Sequence, residues 1–216
     1  MIDVLFPKLH KEGYRFLAIA AVVTFVLLLI SNFLGLISFA ATVWVYYFFR
    51  DPDRYPINDE NYLMSPADGV ASQIIETNGP AELGLEKEKY TRVSIFMNVF
   101  DCHVNRIPSS GKVNKIFYKP GKYINASLDK ASEENERNYV KMTNSNGDEL
   151  VLVQIAGLIA RRIVCDIKEN DEIKQGNKFG IIRFGSRVDL YFQNCKLLVQ
   201  QNQKMVAGET IIAAKQ

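Results

Sequence analysis

The chain has 216 residues, 26 basic and 24 acidic, and a formal net charge of +2. That length holds one domain and an additional segment, since domains commonly run about 100–150 residues. So even a charge balance excludes a strong polyanion-binding surface, and nucleic acid is not an expected partner.

The three cysteines, Cys102, Cys165 and Cys195, are too scattered for a disulfide framework and form no C-x-x-C pair, which fits a reducing compartment. Two histidines, His10 and His103, cannot build a His-rich metal site within one chain, and no metal is expected.

The first long feature is an almost uncharged run from Phe16 to Phe49, interrupted by Ser31-Asn32 and Gly35. At about 34 residues it exceeds both the apolar part of a signal peptide, about 7–15, and a single comfortable span of about 20. Two helices, Tyr14–Ile30 and Phe33–Phe49, fit it better. At ~1.5 Å per residue each is about 25 Å long, slightly short of a ~30 Å hydrocarbon core. A membrane-anchoring helical hairpin is therefore expected over residues 1–50, either as two spans or as a re-entrant wedge. Lys8, Lys11 and Arg15 before it and Arg50 and Arg54 after it put both ends on the cytoplasmic side. Trp44, Tyr46 and Tyr47 suit an interfacial aromatic belt. The plainer alternative, a buried soluble hairpin, is disfavoured because nothing polar faces outward on either helix.

Two prolines and four charges in Arg50-Asp51-Pro52-Asp53-Arg54-Tyr55-Pro56 end the helix and open a domain over 51–216. From Tyr62 onward short apolar runs alternate with turn signals: Asp68-Gly69, Asn78-Gly79-Pro80, Pro120-Gly121, Asn146-Gly147, Gln175-Gly176 and Ala207-Gly208. Strands are predicted at Gly69–Glu76, Arg92–Met97, Gly111–Tyr118, Val140–Thr143, Glu149–Ala156, Ile159–Asp166, Lys178–Phe184 and Val188–Phe192, with a hairpin at Asn146-Gly147. Val188, Leu190 and Phe192 alternate with Arg187, Asp189 and Tyr191, which predicts one buried face. Asn125–Asn138, polar and charged, reads as a loop or short helical turn. The resulting fold class is mainly β (α+β), a barrel or sandwich of roughly ten strands behind the helical hairpin.

Three places can carry chemistry. Gly185-Ser186 puts a hydroxyl nucleophile after a residue whose carbonyl is uncrowded, although such a pair is most often a turn. Asp68, in Ser65-Pro66-Ala67-Asp68-Gly69, is most simply a turn residue. His103 is the single histidine after the hairpin and, alone, is more often a satisfied core or surface residue. Together they supply a nucleophile, a proton acceptor and an orienting carboxylate. A rival hydrolase built on Cys102 with His103 is disfavoured, because adjacent strand residues point to opposite faces.

With these motifs in order, the chain resembles the small phosphatidylserine decarboxylases. The resemblance is carried by Phe49-Arg50-Asp51-Pro52 after the hairpin, Ser65-Pro66-Ala67-Asp68-Gly69, Phe100-Asp101-Cys102-His103-Val104-Asn105-Arg106, Asn125-Ala126-Ser127 with Asp129–Arg137, and Phe184-Gly185-Ser186-Arg187-Val188-Asp189.

It implies a proenzyme cleaved by its own serine at Gly185/Ser186 into a β chain, 1–185, and an α chain, 186–216, whose Ser186 becomes a pyruvoyl cofactor. That group would form a Schiff base with the amine of phosphatidylserine and act as electron sink for loss of CO₂, giving phosphatidylethanolamine. His103 is then the base and Asp68 its orienting partner. The implied partners are phosphatidylserine, the bilayer at the cell membrane's cytoplasmic face, and the two fragments of one precursor; a homo-oligomer is compatible with this reading. Larger members carry His-x-x-His where this chain has His103 and Arg106. Either His103 serves both self-cleavage and decarboxylation, or Arg106 binds the substrate carboxylate or phosphate. Arg187 is a second candidate for pairing with an anionic headgroup.

The family's barrel is related to biotinyl/lipoyl-carrier barrels, which Gly111-Lys112-Val113 and Asp171–Gly176 also resemble. The alternatives are thus a membrane-tethered adaptor barrel of that type without catalysis, or a decarboxylase of the ether lipid archaetidylserine.

Overall fold

The computed structural model describes residues 6–122, 134–157, 162–183 and 186–216. Compact packing divides the chain into two units: Met1–Asp53 with Phe100–Cys102, and Arg54–Val99 with His103–Gln216.

In the first unit, helix α1 (Tyr14–Ile30) and helix α2 (Asn32–Phe48) are joined through the single extended residue Ser31. The predicted Tyr14–Ile30 matches α1, and α2 begins and ends one residue before its expected limits. Their outward side chains, among them Ile19, Val22, Phe25, Leu29, Phe33 and Leu36, are exposed. Between the helices Thr24 Oγ1 bonds Ser38 Oγ and Thr42 Oγ1, each at 2.8 Å, and Thr42 also donates to the Ser38 carbonyl. Small hydroxyl residues inside and large apolar residues outside invert the usual helix of a water-soluble core. The stretch Lys11–Ile30 is long and apolar enough to cross a membrane, whereas Asn32–Phe48 is apolar but shorter. The hairpin ends are latched by a Leu9–Arg50 bridge, by His10 N–H donating to the Phe49 carbonyl at 2.8 Å, and by Tyr46 donating to the Pro7 carbonyl at 2.6 Å.

The second unit is mainly β. Its strands are β1 (Tyr62–Met64), β2 (Gly69–Asn78), β3 (Lys89–Met97), β4 (Val104–Arg106), β5 (Gly111–Lys119), β6 (Arg137–Asn144), β7 (Glu149–Ile155), β8 (Ile163–Cys165), β9 (Glu172–Ile173), β10 (Lys178–Ile182), β11 (Ser186–Phe192), β12 (Cys195–Leu197), β13 (Lys204–Met205) and β14 (Ile211–Lys215). Eight form one antiparallel sheet in the order β13-β2-β3-β11-β7-β6-β5-β9, and β1-β14-β12 and β4-β10-β8 form two smaller sheets.

The Asn146-Gly147 turn joins β6 to β7 with Gly147 at φ 84°, a conformation glycine adopts without strain. The interval expected to be loop ends earlier than predicted, because Arg137 and Asn138 already pair with Ile155 and Gln154 in β6; residues 123–133 lie outside the described residues. So do residues 158–161 at the start of the strand predicted for Ile159–Asp166, of which Ile163–Cys165 is strand.

Strand β11 corrects a second expectation. All seven of its residues are buried, not one face alone. On one side Val188, Leu190 and Phe192 join the main core with Val93, Ile95, Met97, Val140, Leu150 and Leu152. On the other, Tyr191 packs with Leu85, Tyr90, Tyr139, Val151, Val153 and Ile155. A strand central to the sheet and covered on both faces gives its first residue little freedom.

Candidate active site

Ser186 is the first residue of β11 and is fully buried. It pairs with Met97 at the end of β3, while Arg187 is held between Phe96 and Ile155. Its side chain is on the main-core face, and its Oγ lies 4.0 Å from the Met97 sulfur. The neighbouring Gly185 lies outside the described residues.

Asp68 precedes β2, and its carboxylate is held from two sides. Oδ2 accepts from Arg54 Nη2 at 2.7 Å, and Oδ1 accepts from the Ala207 backbone N–H at 2.8 Å. Gly69 follows at φ 134°, pressed so closely on β3 that an added Cβ would lie 2.1 Å from the Phe96 carbonyl oxygen. Asp68-Gly69 and Ser186 thus border the same Phe96–Met97 segment from opposite edges, one strand spacing of about 4.8 Å to either side.

His103 is fully buried at the head of β4, where its carbonyl accepts from the Ile182 N–H of β10. Asn105, two residues on, extends toward the main sheet and reaches Met97 Sδ at 3.7 Å. At the other end of β4 the Arg106 N–H donates to the Pro66 carbonyl, which ties the strand to the loop carrying Asp68. Ser186 and Asn105 thus both meet Met97, and Gly69, next to Asp68, lies against the same segment of β3.

The two arginines are placed differently. Arg106 alternates away from His103 and Asn105, and its Nη1 donates to the Gly176 carbonyl at 2.9 Å. Arg187, only 3 % exposed, points to the opposite face of β11 from Ser186 and forms a two-point pair with Asp189, Nε–Oδ1 2.8 Å and Nη2–Oδ2 3.0 Å. This geometry argues against Arg187 as a headgroup partner beside Ser186: adjacent strand residues cannot share a face, and the guanidinium fork is already matched to a buried carboxylate.

The thiols offer no competing nucleophile. Cys102 donates to the Arg50 carbonyl at 3.3 Å, and burial pushes the Cys165 and Cys195 thiols above their ordinary values, away from thiolate.

Sequence reasoning missed four residues at this site. Arg54 stood in the proline-rich exit segment and was read only as a topology charge. Asn105 lies inside a quoted motif beside the more conspicuous His103. Gln154 is a polar residue in the apolar strand Leu150–Ile155, a signal available in the sequence. Asn138 fell in a segment read as loop.

A family model for phosphatidylserine decarboxylase matches residues 41–213. The chain is 61 % identical over 215 residues, 100 % of both chains, to the phosphatidylserine decarboxylase proenzyme of Pelagibacter ubique (strain HTCC1062). It is 54 % identical over 211 residues, covering 97 % of this chain and 91 % of the relative, to the proenzymes of the same name from Rickettsia typhi (strain ATCC VR-144 / Wilmington) and Rickettsia prowazekii (strain Madrid E). With a buried serine heading a central strand and this similarity along its whole length, the chain belongs to the phosphatidylserine decarboxylase family.

Proposed function

We propose that the chain decarboxylates phosphatidylserine to phosphatidylethanolamine after cutting itself between Gly185 and Ser186. The observation that carries this reading is the placement of Ser186, fully buried at the start of a strand clamped between β3 and β7. A group made from that residue keeps its position after the cut, because the ladder begins at Ser186 itself. The α chain 186–216 also stays attached: β11 pairs with β3 and β7, β13 with β2, and β14 with β1, all strands of the longer fragment. No disulfide is needed, and none of the three cysteines is in one.

In self-cleavage His103 takes the Ser186 Oγ proton, and Oγ bonds to the carbonyl carbon before it. The Gly185–Ser186 C–N bond breaks to leave an ester, elimination across Ser186 releases the longer fragment as its carboxylate and leaves dehydroalanine, and water then displaces the nitrogen as ammonia to give the pyruvoyl group. Asp68 orients His103 and stabilises its imidazolium, while Arg54 and the Ala207 N–H hold the carboxylate in place. The pyruvoyl group left at Ser186 supplies a carbonyl for the substrate amine and an electron sink for decarboxylation. Met97 and Val188, both fully buried, pack on the core side of that position. His103 then returns a proton at Cα of the product.

The hairpin is the membrane anchor in this reading, with both ends on the cytoplasmic side. Its exposed apolar exterior and internal hydroxyl cluster support that role. The catalytic domain is then cytoplasmic, and its barrel is related to the biotinyl/lipoyl carriers.

Intact mass under denaturing conditions tests the reading. Purified protein is expected as two fragments, 1–185 and 186–216, the shorter with a blocked N-terminus, and Ser186→Ala as one uncut chain of 24.5 kDa. Wild-type protein that stays whole after purification from active cells refutes it.

A further inference from the structure

The main core carries a line of three buried carboxamides that packing alone does not require. Asn138 on β6 and Gln154 on β7 are cross-strand neighbours facing the main core, in the row that also contains Val188. Asn138 Nδ2 donates to Gln154 Oε1 at 2.9 Å, and Gln154 Nε2 donates to Asn105 Oδ1 at 2.9 Å. Asn105 Nδ2 then ends the line at Met97 Sδ, 3.7 Å away. Asn105 and Gln154 are fully buried and Asn138 is 3 % exposed. Burying an amide is costly unless its hydrogen bonds are made. Here the Gln154 and Asn105 oxygens each receive a bond from the amide behind, so the line has one direction and finishes in an N–H.

That last N–H points at a thioether, a weak acceptor. The Ser186 hydroxyl points at the same sulfur. Two buried donors therefore converge on one atom that binds neither strongly, and one of them is the nucleophile. Val104 and Ile107 show that aliphatic residues suit this part of the chain, so a carboxamide at 105 answers another need.

We propose that Asn105, locked by Gln154 and Asn138, is the donor that receives the oxyanion formed when Ser186 attacks the carbonyl preceding it. The inference rests on the self-cleavage reading. In the attack the Oγ proton passes to the base and the Oγ–C bond forms. The carbonyl π electrons move onto oxygen, which becomes the anion. That oxygen is bonded to the same carbon as Oγ, so it develops among the groups already surrounding Oγ. Giving up the sulfur contact costs Asn105 little, and an N–H fixed in a dry core is worth far more to an anion there than in water. Collapse of the anion breaks the C–N bond and the departing nitrogen takes a proton.

The experiment follows the conversion of freshly synthesised full-length precursor into its two fragments, with hydroxylamine added in parallel to cleave any accumulated ester. Asn105→Leu is expected to slow cutting by about 10²–10³-fold, the usual loss of one oxyanion donor, and hydroxylamine is expected not to restore it. Cutting at the wild-type rate overturns the proposal, as does a slow variant that hydroxylamine cleaves rapidly, since the defect then lies after the ester. Urea midpoints in a Ser186→Ala background report folding separately. If Asn105→Leu folds poorly, Gln154→Glu decides. It still accepts from Asn138 but presents no donor to Asn105, so the Asn105 carboxamide turns its N–H toward the new carboxylate and cutting slows. Normal cutting in Gln154→Glu overturns the proposal. Ser186→Ala separates the two claims: if it is cut, the self-cleavage reading fails, and if it stays whole while Asn105→Leu cuts normally, only the role of Asn105 fails.

Discussion

Gly69→Ala tests the link between the Asp68 turn and the nucleophile. Gly69 has φ 134°, and an ideal Cβ would lie 2.1 Å from the Phe96 carbonyl oxygen, 2.9 Å from its carbon and 3.2 Å from Met97 Cα. These are backbone atoms of β3, and no side-chain rotation relieves the overlap. A non-glycine residue in such a conformation costs about 1–3 kcal/mol, and the overpacking adds about 1–3 kcal/mol. Part of that energy is relieved by pushing Phe96–Met97 away from β2, toward Ser186 and Arg187 on the far side.

A displacement of about 1 Å at a reacting group costs on the order of 10²-fold in rate. Gly69→Ala is therefore expected to lower stability by about 2–6 kcal/mol and to slow self-cleavage well beyond its effect on the folded fraction. The assay pairs a urea melt in the Ser186→Ala background with precursor conversion followed on denaturing gels. A variant with wild-type midpoint and wild-type cutting refutes the argument that Gly69 and Ser186 are coupled through β3.

Arg54→Ala is expected to slow cutting while leaving Ser186 reactive, because Asp68 loses the cation on Oδ2; equal rates for Arg54→Ala and wild type count against Asp68 as the orienting group. Asp189→Leu, which strands the buried Arg187 guanidinium, should destabilise by about 3–5 kcal/mol, whereas Arg187→Met with Asp189→Leu should recover most of that in the same urea melt. Thr24→Val, which removes the hub of the interhelical hydroxyl cluster, should weaken hairpin packing by about 1–2 kcal/mol, read from thermal unfolding in micelles. Burial raises the Tyr90 and Tyr139 phenols above their ordinary value, so the folded chain keeps protons that the unfolded chain releases above about pH 10. That stabilisation is fully present below pH 10 and declines as pH rises past it, so the urea midpoint should fall between pH 9 and pH 11.

The hairpin was legible in the sequence almost to the residue because its signal is local. A long uncharged run has few ways to fold, and of the breaks it shows near its middle, at Ser31-Asn32 and Gly35, the first is where the helices divide. The strands were legible for a similar reason: alternation and Gly turns mark β2, β3, β5, β6 and β7 to within a few residues at either end. Ser186, His103 and Asp68 could be picked out as the groups with suitable chemistry, and the family motifs put them in order.

What surrounds them was not legible. Arg187 looked available to a headgroup because it follows Ser186 in the chain, yet the pleat sends it to the other face and Asp189 occupies it. The second buried face of β11 depends on Leu85, Tyr90 and Tyr139, distant in sequence, and no periodicity within β11 announces it. Asn138, Gln154 and Asn105 lie on three different strands, and only the register of β6 against β7 and the approach of β4 turn three scattered amides into one directed line. The sequence determined which segments are helix and strand and which side chains have the chemical groups a self-cleaving site needs, since both follow from local pattern and residue type. The tertiary structure decided which face each side chain takes and what stands beside Ser186, since those depend on strand register and long-range packing.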